Sequence, residues 1–136
     1  AAAVPGPVES DIPKSRNETI LVVEDDPRVR RLTVTRLEDM GYKTLAAENG
    51  PVALQLLRSN KKIDLVLSDV VMPGGMNGFE VADQALAINP ALKILLATGY
   101  ASGGEATVGA TESRHPLLRK PYSLRDLAKA LRELLE

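Results

Sequence analysis

The sequence predicts an α/β fold, a doubly wound (βα)5 arrangement with a five-stranded parallel sheet covered by helices on both faces. Two apolar runs, Thr19-Ile20-Leu21-Val22-Val23 and Leu65-Val66-Leu67, lack the polar alternation of a half-exposed strand, as strands buried on both faces of a parallel sheet do. Strand-length runs alternate with segments of helical periodicity along the chain, which implies a parallel sheet covered by helices on both faces. The two leading runs end in carboxylates, Glu24-Asp25-Asp26 after the first and Asp69 soon after the second. Open α/β sheets carry their functional groups at the carboxyl ends of the strands.

The 136 residues fit one domain, long enough to bury a core without disulfide or metal staples. The chain has no cysteine and one histidine, His115, which excludes disulfides, thiolate metal sites and multi-histidine zinc sites within it. Seventeen basic against eighteen acidic residues give a net charge of -1, so no global electrostatic case exists for nucleic acid or an anionic membrane. No apolar run is long enough to cross a bilayer and no signal-peptide pattern is present. The expectation is a cytoplasmic domain, alone or within a larger protein, that binds neither nucleic acid nor membrane. Residue 1 is Ala rather than Met, as in a fragment or a processed chain.

Residues 1–17 contain Pro5, Pro7 and Pro13 and few large apolar residues. They read as a disordered linker or an expression remnant, with the folded domain over 18–136. After the first strand, Asp26 is placed to cap a helix and Pro27 suits its first position. That helix is predicted to run to about Met40, with Val29, Leu32, Leu37 and Met40 inward, and to end at Gly41. Its other face carries Arg28, Arg30, Arg31 and Arg36, either a solvated face or a docking surface for an acidic partner. Tyr42 to Ala47 form a shorter strand. A helix from Asn49-Gly50-Pro51 to about Asn60 follows, with Ala53, Leu56 and Leu57 inward; Lys61-Lys62 solvate its end. Then comes the Asp69 strand, which breaks at Pro73-Gly74-Gly75. Asn77-Gly78 caps the next helix, which Asn89-Pro90 stops. Leu92 to Ala97 form the fourth strand, ending at Thr98-Gly99-Tyr100. Between Ala101 and Pro116, Gly103, Gly104 and Gly109 leave room only for a weak helix. Leu117-Leu118-Arg119 lead to Lys120-Pro121-Tyr122. Ser123 and Asp126 form a capping box for a last helix, Leu124 to Leu135, striped by Leu124, Leu127, Ala128, Leu131 and Leu135.

One common strand order for such sheets is 2-1-3-4-5, with the ligand at the switch between strands 1 and 3. That order would gather Glu24, Asp25, Asp26 and Asp69 at one end. Alone, Asp69 reads equally as a turn cap and as a nucleophile or metal ligand. Clustered carboxylates repel, so one would take up a proton unless a cation intervened. Mg²⁺ suits a site of one or two carboxylates, waters and a phosphoryl oxygen. Thr98 and Lys120 would stand on the same rim, offering a hydroxyl and a compact cation. A carboxylate, a metal, an ammonium and a hydroxyl around one point describe phosphoryl transfer onto Asp. Nucleotide-binding alternatives fit badly: the loop after strand 1 is Glu-Asp-Asp rather than glycine-rich, and no Walker A sequence is present. Haloacid-dehalogenase and Toprim sites want a second aspartate two positions on, where this chain has Val71.

Over roughly Glu18 to Glu136 these residues resemble the receiver domain of two-component response regulators, a flavodoxin-like fold. The resemblance rests on Val-Val-Glu24-Asp25-Asp26-Pro, Ser-Asp69-Val-Val-Met-Pro, Ala-Thr98-Gly and Lys120-Pro121-Tyr, at the ends of successive strands. It implies that Asp69 accepts a phosphoryl group from a phosphohistidine on a histidine kinase or a histidine phosphotransfer domain. It further implies that Asp25, Asp69 and the backbone carbonyl of Val71 bind Mg²⁺, with Mn²⁺ as a substitute, and that Glu24 acts through a metal-bound water. Thr98 would hydrogen-bond the phosphoryl oxygen. Lys120 would pair with Asp69 and then with the phosphoryl group, across a cis Lys120-Pro121 bond. Such a domain catalyses its own phosphorylation and dephosphorylation.

Three features depart from the common pattern. Leu117 stands where many members carry an aromatic switch residue, the loop after Asp69 is one residue longer, and the helix after strand 4 is poor in helix formers. These favour a monomer that passes its phosphoryl group on. The end just after the last helix and the Pro/Ala-rich start suggest the C-terminal receiver of a hybrid histidine kinase, with a stand-alone regulator next. The competing reading is a degenerate receiver that serves only as a protein-interaction module. Tyr100 and Tyr122 either border the pocket mouth or cover the sheet edge. His115 is expected at the surface, and Met72 and Met76 in loop packing.

Overall fold

Five strands form the sheet: β1 (Thr19–Val23), β2 (Lys43–Ala47), β3 (Leu65–Asp69), β4 (Lys93–Gly99) and β5 (Leu117–Lys120). They run parallel in the predicted order, β2-β1-β3-β4-β5. The structure, a computed structural model, describes residues 17–60, 62–72, 75–99 and 115–136. Among these, four helices alternate with the strands: α1 (Pro27–Asp39), α2 (Gly50–Ser59), α3 (Gly78–Ile88) and α4 (Leu124–Leu135). The weak helix expected within Ala101–Pro116 and nearly all of the expected linker lie outside the described residues.

The missing polar alternation in β1 and β3 has a direct cause, since both faces are buried. Leu21, Val23 and Val66 pack with Ala53, Leu57, Val81 and Ala85 on the α2/α3 side. Ile20, Val22, Leu65 and Leu67 pack with Leu37, Leu127 and Leu131 on the α1/α4 side. Met72 is buried and Met76 packs beside it, as expected of loop packing. Caps fix the helix starts. Asp26 accepts from the amides of Arg28 and Val29, Asn49 from that of Val52, and capping boxes join Asn77 to Glu80 and Ser123 to Asp126. Gly41, at φ 93°, turns the chain out of α1, a conformation that favours glycine.

One face is not as expected. Val29 and Leu32 are 37% and 50% exposed. Leu37 and the C-cap Met40 are buried as expected, but the rest of the inward stripe of α1 is Arg30, half-buried, Thr33, buried, and Val34, partly buried against the core. Polar groups can occupy such a stripe when their hydrogen bonds are met. The Thr33 hydroxyl donates to the Val29 carbonyl at 2.9 Å, and Arg30 donates to the carbonyl of Glu24.

Two tertiary devices set the ends of the sheet. At the carboxyl end, the Gly78 amide donates to the Val70 carbonyl at 2.8 Å. A Cβ on Gly78 would collide with the Asp69 carbonyl oxygen and the Val70 Cα, so only glycine lets α3 start against the end of β3. At the amino end, the buried Arg132 of α4 donates to Glu18 at 2.9 Å, to Glu136 at 3.1 Å and to the Tyr42 hydroxyl at 3.4 Å. This ties α4 to the residues just before β1 and β2.

Removing one partner of a buried ion pair leaves the other without compensation. Arg132→Ala is therefore expected to lower stability by about 3 kcal/mol, read as a shifted urea midpoint at unchanged slope. A midpoint that stays at the wild-type value would show that the clamp contributes nothing.

Candidate functional site

The carboxyl ends of β1, β3 and β5 bring four side chains together. Local backbone contacts aim two of them, Glu24 and Asp69. Glu24, just past β1, is buried. Its amide donates to the Ala47 carbonyl at 3.0 Å, its carbonyl accepts from Arg30 Nη1 at 2.8 Å, and its Oε2 accepts from the Asp26 amide at 3.1 Å. Asp69 closes β3, where the Val70 amide donates to the Ala97 carbonyl at 2.9 Å. Lys120 closes β5 and reaches back across the sheet. Its Nζ lies 2.8 Å from Asp69 Oδ1 and 3.7 Å from Glu24 Oε1. Asp25 is exposed at the mouth. Oxygens of Glu24, Asp25 and Asp69 all lie within 4.8 Å of one another.

Asp26 does not join them. Its carboxylate caps α1, and the Arg28 and Val29 amides hold it below the usual carboxylate range. Thr98 stands at the same end of the sheet, 8% exposed, one residue past Ala97, the register partner of Asp69. No hydrogen bond joins it to Asp69 among the described residues. Val71 opens the following loop, half exposed. The Lys120-Pro121 bond is cis.

Electrostatics mark the cluster as strained by like charge. Burial, with the Asp69 charge adding to it, pushes Glu24 up to about 7 against the pull of the Asp26 amide. Burial likewise raises Asp69, helped by Asp25 and opposed by Lys120. For Lys120, burial works downward, but the bond to Asp69 and the charges of Asp69 and Glu24 prevail and raise it. Two unit charges at the 4.8 Å limit repel by roughly 3.5 kcal/mol at an effective dielectric of about 20. One ammonium faces three such carboxylates. An all-oxygen donor set with surplus negative charge fits a hard divalent cation.

The remaining tyrosine, leucine and histidine positions separate cleanly. Tyr122 lines the cleft beside Lys120 and Asp69. It also lines an outer groove of about 490 Å³ against Val29, Leu32 and Arg36, so Tyr122, Lys120 and Thr33 wall both spaces. Leu117 packs on the α2/α3 side of the sheet. His115 lies at the surface with its side chain 13% exposed, its Nε2 3.4 Å from the exposed Asp83 on α3. Tyr100 lies outside the described residues. Two residues of the site went unread in the sequence. Arg30 was grouped with a charged face, although its spacing from Thr33, Leu37 and Met40 signalled an inward position. Gly78 was read only as part of a cap.

The raised Glu24 value has a sign that can be checked. It lies above the ordinary value of 4.5, so the folded chain holds the proton more tightly than the unfolded one. Without a divalent cation, stability should fall as pH rises from about 4.5 to about 7 and then level off. Glu24→Gln, which keeps the acceptor for the Asp26 amide, should flatten that fall. At pH 8 it should exceed wild type by on the order of 2 kcal/mol in chelator-treated urea denaturation. A Gln variant no more stable than wild type at pH 8 would contradict the assigned burial cost.

Comparison with known proteins agrees in fold and extent. The family model described as response regulator receiver domain matches residues 20–132. The response regulator receiver protein CpdR of Brucella abortus is 37% identical over 116 residues, covering 85% of this chain and 95% of CpdR. The sensor kinase CckA of the same organism is 34% identical over 130 residues; these cover 95% of this chain but only 14% of CckA. Among solved structures, a response regulator receiver domain protein from Clostridium thermocellum superposes with a TM-score of 0.77 at 26% identity, covering 87% of this chain and 94% of that one. With its fold, its extent and a near full-length relative in agreement, the chain belongs to the response regulator receiver domain family of two-component systems.

Proposed function

We propose that the cleft is a phosphoacceptor site and that Asp69 takes the phosphoryl group from a phosphohistidine on a partner histidine kinase or histidine phosphotransfer domain. The observation that carries this reading is the Lys120–Asp69 pair at 2.8 Å inside a cluster with Glu24 and Asp25. An Asp69 oxygen attacks phosphorus, the P–N bond breaks, and the imidazole nitrogen leaves with the bonding pair. Lys120 holds the Asp69 carboxylate ready and then pairs with the new phosphoryl oxygens. Thr98 donates its hydroxyl to one of those oxygens. Glu24, Asp25, Asp69 and the Val71 carbonyl would hold Mg²⁺, or Mn²⁺ in its place, which supplies neutralising charge for the transferring group.

In this reading residues 18–136 are the receiver and 1–17 a linker to it. Among the described residues no helix is long and apolar enough to cross a membrane, and we place the domain in the cytoplasm as a monomer. The alignment with CckA supports a place within a hybrid kinase; the near full-length match to CpdR supports a stand-alone regulator. A receiver acting purely as an interaction module would need no Lys120–Asp69 pair set in an acidic cleft, which favours phosphotransfer.

Incubation with acetyl phosphate and Mg²⁺ should add one phosphoryl mass to the intact chain. Chelation or Asp69→Asn should abolish it. No added mass on folded wild-type protein would sink the reading, and labelling that survives Asp69→Asn would move the acceptor elsewhere.

A further inference from the structure

We infer that Arg30 is a positioning residue that holds the Glu24–Asp25 peptide in the orientation presenting both carboxylates to a divalent cation. The inference rests on the cleft being a cation site, as proposed above. Arg28 and Arg31 on the same helix are exposed, whereas Arg30 is half-buried and heads the inward stripe of Thr33, Leu37 and Met40. Its Nη1 donates to the Glu24 carbonyl oxygen at 2.8 Å. That carbonyl belongs to the rigid peptide plane joining Glu24 to Asp25, so the arginine fixes the direction in which the chain enters Asp25. The plane before it is held by the Glu24 amide on Ala47, and the one after it by the Asp26 amide on Glu24 Oε2. Arg30 is itself held in α1, where its amide donates to the Asp26 carbonyl at 2.8 Å. Asp25 is exposed, and the direction of its carboxylate depends on these flanking planes.

The two roles open to a guanidinium here have opposite signs. A positive charge behind a cation site weakens cation binding by repulsion. A donor that orients the backbone of the cation's ligands strengthens it, and groups supporting metal ligands typically change affinity by about 10- to 100-fold. Loss of Arg30 therefore tightens Mg²⁺ binding if charge dominates and weakens it if positioning dominates. The 2.8 Å bond and the partial burial favour positioning.

Calorimetric titration of Mg²⁺ into the full chain tests this with wild type, Arg30→Met, Arg30→Lys and Arg31→Gln, each checked for folding by circular dichroism. Arg30→Met keeps the aliphatic stem without a donor and should weaken Mg²⁺ binding roughly tenfold. Arg30→Lys, with a donor and a charge, should recover part of that loss. Arg31→Gln removes the same charge from an exposed residue and should leave affinity within about twofold. If Arg30→Met does not fold, Arg30→Gln is judged by the same criterion. Mg²⁺ bound as tightly as by wild type, or more tightly, in the folded variant overturns the positioning role alone, as does an Arg30→Lys no better than Arg30→Met. A wild-type chain that binds no Mg²⁺ overturns the functional reading and this inference with it.

Discussion

The ion pair between Lys120 and Asp69 is the contact around which the carboxyl end of the sheet is arranged. Three carboxylates share a space less than 5 Å across, two of them largely buried, and among the described residues one ammonium is the cation paired with them. That ammonium sits on β5, at the far edge from β2, and reaches Asp69 on β3 and Glu24 beyond β1. β4, between β3 and β5, carries the small Ala97 beside Asp69, and Ala97 lines the cleft with Asp69 and Lys120. A long side chain at that register position would occupy the space the ammonium crosses. Strand order, register and the choice of a small residue are thus all constrained by one interaction.

The burial that makes the pair strong also makes the site costly. Desolvation leads the causes that raise both Glu24 and Asp69, and the peptide groups around them limit how far either can relax. The fold offsets this cost at a distance. Both faces of the sheet are packed, and the Arg132 clamp at the opposite end ties the last helix to the starts of the first two strands. Charge-bearing groups therefore occupy both ends of an apolar slab. At the amino end Arg132 pairs with both Glu18 and Glu136; at the carboxyl end Lys120 pairs with Asp69 and Glu24 while Asp25 adds a third carboxylate.

Much of this was legible in the sequence because the relevant signals are local. An unbroken apolar strand followed by acids needs no knowledge of the fold to be read as a buried strand with a functional end. The strand order did need it, since periodicity alone does not say which strands are neighbours. The inner face of α1 was misread by equating apolar with inward. Val29 and Leu32 border the outer groove, while Arg30 and Thr33 turn inward because backbone carbonyls satisfy them. Arg132 leaves no local signal for a different reason: its partners are side chains up to 114 positions away in sequence. Gly78 left no distinct trace, because an Asn-Gly at a helix start is common and the backbone it must clear belongs to another element.

That last glycine bears on how the chain would respond to redesign. Gly50 and Gly78 both open helices, and a stabilisation scheme working from helix preference would replace them with alanine, a change normally favourable by about 0.5–1 kcal/mol inside a helix. Position 78 has no room for it, and position 50 takes it only if the Met76 side chain shifts. A methyl group at 50 would press on Met76 and Val81, and one at 78 on the peptide of Asp69 itself. The second would displace Asp69, at the centre of the acidic cleft, in order to improve a helix. Gly50 lets α2 start close against Met76 and against Val81 of α3, and Gly78 lets α3 start against the end of β3; a consensus built on helix-forming tendency would erase both first.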